Sequence, residues 1–338
     1  MAKNLEPGGA GRHRARGWPA RAGRMAALRA VSAVSAVILG AAGPAGAAPL
    51  AALTVCMSAD NAPLSYAALG QPRGLDVRIA QAAAALLGRA LAVVLFETRY
   101  EKESALTHEV NALLSSGVCE AASGFPLLVT DIGPPTRPTS RTPDYPGAKR
   151  KRDRPFVPLG TLLASRAYQA VVLGVVQPGG AAPLLRLGDL GERRLGTVSG
   201  TLASAVGMTW RNGALRARLV SLSQREDVLA ELVRPADAAA PRRFDAAFLP
   251  LALFDGWRLA HPGSPLVAAG YRRPIGINLG FVTLDSAVAV RDALDSAIDS
   301  ARADGSLARW AAEEGVSWAP PTTPEVSRGP SLADLAAD

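Results

Sequence analysis

The chain has 338 residues, 49% of them apolar and 20% charged, enough to bury a large core in one or two domains. Its formal charge of +8 resembles a nucleic-acid signal, but seven basic residues (Lys3, Arg12, Arg14, Arg16, Arg21, Arg24 and Arg29) and one acid, Glu6, lie within residues 1–48, so the rest carries about +2. The charge therefore argues for targeting, and no nucleic-acid partner is expected.

The first segment with a pattern is "MAALRAVSAVSAVILGAAGPAGAAP", with a basic start, an apolar run from Val31 to Ala42, and small residues ending in Ala45-Gly46-Ala47. It reads as a cleavable secretion signal over residues 1–48, cut near Ala47 or Ala48, with Met25 as an alternative start. A retained anchor would need roughly 20 strongly apolar residues. Membrane contact is expected through this segment only, and the mature chain is expected in the periplasm.

Leu53 to Met57 reads as a strand, and "DVRIAQAAAALLG" as a helix with Ile79, Ala83, Leu86 and Leu87 on one face and Gly88 as its stop. "LAVVLFE" is a continuous apolar run, hence a buried strand. "ALTHEVNALLSSG" places Leu106, Val110, Leu113 and Leu114 on one helical face, and "VCEAASGF" is a third strand. The order βαβαβ implies a parallel sheet with helices on its faces. The order recurs from "RLGTVSG" through "FDAAFLP", after a Pro-rich basic insertion over 134–155 and two apolar runs, "FVPLGTLLAS" and "AYQAVVLGVV". "GINLGFVTL" is a returning strand, followed by one or two helices. The expected division is residues 50–165 for the first part of lobe 1, 166–270 for lobe 2, 271–318 for the return to lobe 1, and a disordered tail over 319–338.

Ligands of parallel α/β sheets bind beyond the carboxyl ends of the strands. Four loops qualify. They supply Ser58, Asp60, Asn61 and Tyr66 after the first strand, Gly124 and Phe125 after the third, Ser199, Gly200 and Thr201 where a strand meets a helix, and Pro250 after "FDAAFL". Hydroxyls and free N–H groups at Ser199–Thr201 suit an anion. Each loop also has an ordinary reading as a turn or an N-cap. Among the three histidines none has ligand spacing, and no HExxH, CxxC, P-loop, GxSxG or GxGxxG motif occurs. No cofactor or metal is expected, and the chain reads as a non-enzyme. Lys149, Arg150, Lys151 and Arg152 form a basic run, read as a solvated loop or as a dock for an acidic protein partner.

In their order, "GLDVRIAQAAAALLG", "LLSSGVCEAASGFP", "RRLGTVSGT", "FDAAFL" and "DGSLARWAAEEG" resemble the type 2 class of periplasmic solute-binding proteins, from about Leu53 to Trp318. The resemblance implies a two-lobed α/β fold, each lobe a mainly parallel sheet flanked by helices. It implies a small-molecule ligand in an interlobe cleft and an ABC-type permease as partner. "LTVCMSADNAPLSY" with "GVCEAASGFP" is similar to the branch associated with quinoprotein methanol dehydrogenases, which implies the alternative of an accessory, chaperone-like partner of such a dehydrogenase. Amino-acid binders of the class carry an aspartate where this chain has Pro250. Their cleft arginine matches either Arg137, in Thr136-Arg137-Pro138, or Arg154. Glu120 stands where Asp is usual.

Export favours a bond between the two cysteines, Cys56 and Cys119. The strand register opposes it, because an offset of three residues separates them by roughly 10 Å along neighbouring parallel strands, beyond the reach of about 7 Å. Of the two, the register argument weighs more, so two buried thiols are expected.

Overall fold

The computed structural model describes residues 50–97, 105–235 and 241–336, and the signal segment read over 1–48 lies outside them. β1 (Leu53–Ser58) is buried because it runs between two other strands. A small sheet follows, made of β2 (Asp60–Asn61), β3 (Ser65–Ala68) and β4 (Gln71–Arg73). Gly74, at φ +116°, turns the chain into α1 (Leu75–Leu86). A Cβ there would stand 2.2 Å from the Leu64 carbonyl oxygen, so only glycine fits. Of the face read for α1, Ile79 and Ala83 are buried, but Leu86 is exposed.

Among the described residues β5 (Leu91–Phe96) pairs only with β1. It is an edge strand, and of its six residues only Phe96 is fully buried, which corrects the expectation of a buried strand. α2 (Leu106–Ser115) buries Val110, Leu113 and Leu114 and leads to β6 (Ala121–Pro126). The insertion carries β7 (Thr139–Ser140), which pairs with β8 (Val157–Pro158), before β9 (Leu162–Ala164). β10 (Gln169–Pro178), the Val-rich "AYQAVVLGVV" run, crosses into the second half. That half holds β11 (Leu195–Val198), α3 (Leu202–Gly213), β12 (Leu219–Leu222), α4 (Val228–Val233), β13 (Ala246–Pro250) and α5 (Leu251–Ala260). β14 (Leu266–Leu284), nineteen residues long, returns to α6 (Val288–Ala303) and α7 (Ser306–Glu313), and α8 (Leu332–Ala336) follows.

The principal sheet has nine strands in the order β12-β11-β13-β10-β14-β6-β1-β5, with β9 also on β14. Each outer triad is parallel, and β10 and β14 join the triads through antiparallel pairing. Apolar clusters cover the sheet. In the first half one lies under α1 and α6 and another under α2. In the second half one lies under α3 and another under α4 and α5.

Two further expectations are overturned. Cys56 and Cys119 form a disulfide, with Cα atoms 5.7 Å apart. The offset argument placed Cys119 in line with its strand. Instead β6 begins at Ala121, and Cys119 lies in the bend between α2 and that strand, where the next residue, Glu120, donates its N–H to the Thr54 carbonyl. The chain arrives over the α2 face, so both sulfurs share the cluster of Val110, Leu113 and Phe125. The tail read as disordered is ordered from 319 to 336. The Ala319 carbonyl accepts from Ala170 N. Asn278, fully buried in β14, donates to the Thr322 and Glu325 carbonyls at 2.9 Å each and accepts from Thr322 N at 2.8 Å. Ser327 pairs with the chain at Leu127 and Val129, and Leu335 of α8 enters the cluster of Ala203, Val206 and Trp210. This order comes from hydrogen bonds to the body of the chain, those of the Asn278 amide among them, which leave no periodicity in the sequence.

Candidate functional site

The strand register places the site. β6 ends at Pro126, which pairs with Leu279 of β14, and Leu279 pairs with Gln169 of β10. β13 runs the opposite way and ends at Pro250, paired with Leu173 of β10. The carboxyl ends of the two parallel triads therefore face each other. They are separated by four residues of β10, about 13 Å.

On the first side, β1 gives way at Ser58, whose carbonyl accepts from Ser65 Oγ at 2.8 Å. Asp60 pairs with Tyr66 and Asn61 with Ser65, which fixes the polar loop as a small sheet. Gly124 has φ +66°, and a Cβ there would lie 3.2 Å from Asn61 Nδ2 and 3.4 Å from Asp76 Oδ2. The missing side chain lets the first loop approach β6 closely at Gly124, which lies inside the strand and not in a loop after it. Phe125 differs from expectation. β6 runs through Pro126, and the Phe125 ring is 1% exposed, packed in the disulfide cluster, so only its backbone reaches the strand end.

Beneath Asn61 and Gly124 lies a residue the sequence reading missed. Asp76, in the first turn of α1, is fully buried. Burial pushes its carboxyl up to about 7, against the lowering influence of the Ser123 and Tyr168 hydroxyls. Those hydroxyls are near enough to be felt. Yet neither they nor the carboxyl oxygens make a hydrogen bond of ordinary geometry in this conformation. The sign available in the sequence was an acid on the same helical face as Ile79, Ala80 and Ala83.

On the second side, Ser199 Oγ lies 2.7 Å from Ser221 Oγ. Thr201 is the N-cap of α3, its hydroxyl accepting from Ser204 N at 3.2 Å and donating to the Val198 carbonyl at 2.7 Å. Gly200 takes φ +78°, and with Thr201, Ser204 and Met208 it lines a shallow cavity of about 360 Å³ over the first turn of α3. Pro250 closes β13 and opens α5, and offers a carbonyl but no side-chain donor. α5 also reaches the first loop, since a Cβ on Gly256 would stand 2.5 Å from the Ala62 carbonyl oxygen. The structure thus brings Asn61 to Gly124, and α5 to the loop beside Asn61. Among the described residues no cluster of three His, Cys, Asp or Glu could hold a metal, and no helix is long and apolar enough to cross a membrane.

No family model matches the sequence, and no curated protein matches it. Solved structures do match. The second substrate-binding domain of Lactococcus lactis GlnP, in its open conformation, aligns with TM-score 0.54 at 14% identity over 78% of this chain and 94% of that one. The L-cystine solute receptor of Neisseria gonorrhoeae, unliganded and open, aligns with TM-score 0.51 at 17% identity over 78% and 92%. The fold is the two-lobed type 2 periplasmic-binding fold.

Within this periplasmic-binding fold the basic insertion is ordered. Arg154, 5% exposed at its side chain, donates to the Lys149 carbonyl at 2.7 Å and the Thr142 carbonyl at 2.6 Å, and pairs with Asp144. Its guanidinium is committed to the insertion, which removes Arg154 as a cleft arginine. Lys151 begins a short 3-10 turn, Lys151–Asp153. Arg150 and Arg152 are 77% and 74% exposed, 3.4 and 3.7 Å from the Asp153 carboxylate.

Proposed function

We propose that this chain is an exported, non-enzymatic solute-binding protein that captures a small molecule between the facing strand ends of its two lobes. The observation that carries the reading is the opposition of Pro126 and Pro250 across four residues of β10. Asn61 and the Gly124 backbone would line the first wall, with Ser199, Gly200 and Thr201 on the second. Closure would bring the walls together by bending at β10 and β14. Pro250 supplies no carboxylate for an ammonium group, so α-amino acids are poor ligands. An ABC-type permease is the partner, reached in the periplasm after removal of residues 1–48.

A second reading, an accessory partner of a periplasmic quinoprotein dehydrogenase, is favoured by one feature. The exposed charges of Lys149, Arg150 and Arg152 stand on a segment pinned from inside by Arg154.

Calorimetric titration of the mature protein with sugars, carboxylates, alcohols and amino acids tests the first reading. One non-amino-acid class is expected to bind one-to-one, to reduce the radius of gyration in solution scattering, and to be lost in Asn61→Ala. Micromolar binding of a common L-amino acid would contradict the role given to Pro250. Absence of any ligand together with co-purification of a dehydrogenase would favour the second reading.

A further inference from the structure

A second cavity, of about 620 Å³, lies between residues 273–276 of β14 and the C-terminal strap from Thr322 to Leu335. That volume falls in the range of small-molecule sites, roughly 300–1,000 Å³. None of the ten residues of the four strand-end loops lines it. Its apolar wall includes Val129, Ile275 and Leu335, and its charged groups are Arg273, Arg328 and Asp334.

These charges do not cancel inside the cavity. The Asp334 carboxylate is already engaged, accepting from Ser331 Oγ at 2.7 Å and Ser331 N at 2.8 Å, which hold it below the usual carboxylate range. Arg273 Nη2 donates to the Asp334 backbone carbonyl at 2.5 Å. Its other terminal nitrogen, Nη1, is buried and has no acceptor. A shielded guanidinium N–H without an acceptor costs free energy that a ligand oxygen would recover. The Arg273 side chain is only half-buried and lines the cavity. Arg328 is exposed at the same cavity. Two guanidiniums with unspent donors, beside an apolar wall, fit an anion carried on a hydrocarbon body.

We propose that the cavity between β14 and the C-terminal strap binds a small carboxylate with an apolar body, its oxygens held by Arg273 and Arg328. The site is independent of the strand-end site and of either reading of the protein's function. Because the strap forms one wall, an occupant would join it to β14.

The test is calorimetry on the full mature protein with benzoate and hexanoate as probes, and benzyl alcohol and hexanol as neutral controls. Both carboxylates are expected to bind saturably, with the alcohols at least about tenfold weaker, the scale of one charge-assisted contact. Arg328→Gln and Arg273→Gln should each weaken the carboxylates about tenfold, whereas Asn61→Ala should leave them unchanged. Arg328 is exposed, so its variant keeps the fold and decides the matter alone if Arg273→Gln does not fold. No saturable binding of either carboxylate, equal binding of the alcohols, retention in Arg328→Gln, or loss in Asn61→Ala would each overturn the proposal.

Discussion

Cys56, in the middle of β1, is bonded to Cys119, two residues ahead of β6, and the pair ties the central strand of the first lobe to the end of the α2 crossover. The bond spans 63 residues of sequence. In the chain-entropy model a loop of that size is worth about 4 kcal/mol, as an upper estimate. Denatured, unreduced protein should therefore show no titratable thiol. A Cys56→Ala/Cys119→Ala double variant should lose up to that amount in urea unfolding. Two free thiols in the wild type would refute the bond.

The strands and helices that pack on one face were readable because apolar period and chain punctuation agree there. α1 and α2 are examples. The small sheet β2–β4 was not readable, because strands of two to four residues carry no period. α5 was missed because Pro250 ends a strand and opens a helix at the same residue. Part of the candidate site was legible. Asn61 lies where a strand-end argument puts it, whereas Gly124 lies inside β6, two residues before its end. Phe125 does not face the mouth, because the irregular pairing of β6 with β14 between Ala122 and Phe125 turns its ring to the same apolar cluster as Ala122. Arg154 looked like a ligand arginine, but its acceptors are backbone carbonyls that no sequence pattern announces.

Asp76 makes stability depend on pH. Its folded carboxyl titrates at about 7 against an ordinary 3.8, because of burial. The folded state therefore holds the proton more tightly than the unfolded chain. Stability from this group is fully present below pH 3.8 and is lost as pH rises through 7, on the order of 4 kcal/mol in all. Asp76→Asn should flatten that part of the profile. Urea midpoints between pH 5 and 8 for the two proteins isolate it. Parallel profiles would show that Asp76 is not the titrating group.

The insertion offers a contrast between exposed and internal charge. Changing Lys149, Arg150, Lys151 and Arg152 together to Glu should leave the melting temperature nearly unchanged, because exposed ion pairs are worth about 0–1 kcal/mol. It should weaken any acidic-partner complex in a salt-dependent way. Arg154→Gln should cost roughly 2–3 kcal/mol, since it leaves the Lys149 and Thr142 carbonyls without their donor. Thermal melts of the two variants decide. Equal effects would mean that Arg154 is not the pin.

Asn278 holds the C-terminal strap against the crossing strand. Its amide spans the strap at Thr322 and Glu325, and the same strap goes on to meet both halves, at Leu127 in the first and through Leu335 in the second. Asn278→Ala removes the donor and the acceptor together and leaves the strap carbonyls buried. The loss should be about 3 kcal/mol, from two or more buried hydrogen bonds at about 1–1.5 each. Because this amide bonds the strap at both Thr322 and Glu325, its loss should release the strap ahead of global unfolding. In limited proteolysis at native pH, the variant is expected to be cut within 320–331 well before the body of the chain, whereas the wild type resists. Hydrogen exchange should rise at Thr322 and at Val129, whose N–H donates to Ser327, while β1 and β11 stay protected. Uniform exchange across the chain would show that the amide supports the whole fold and not the strap.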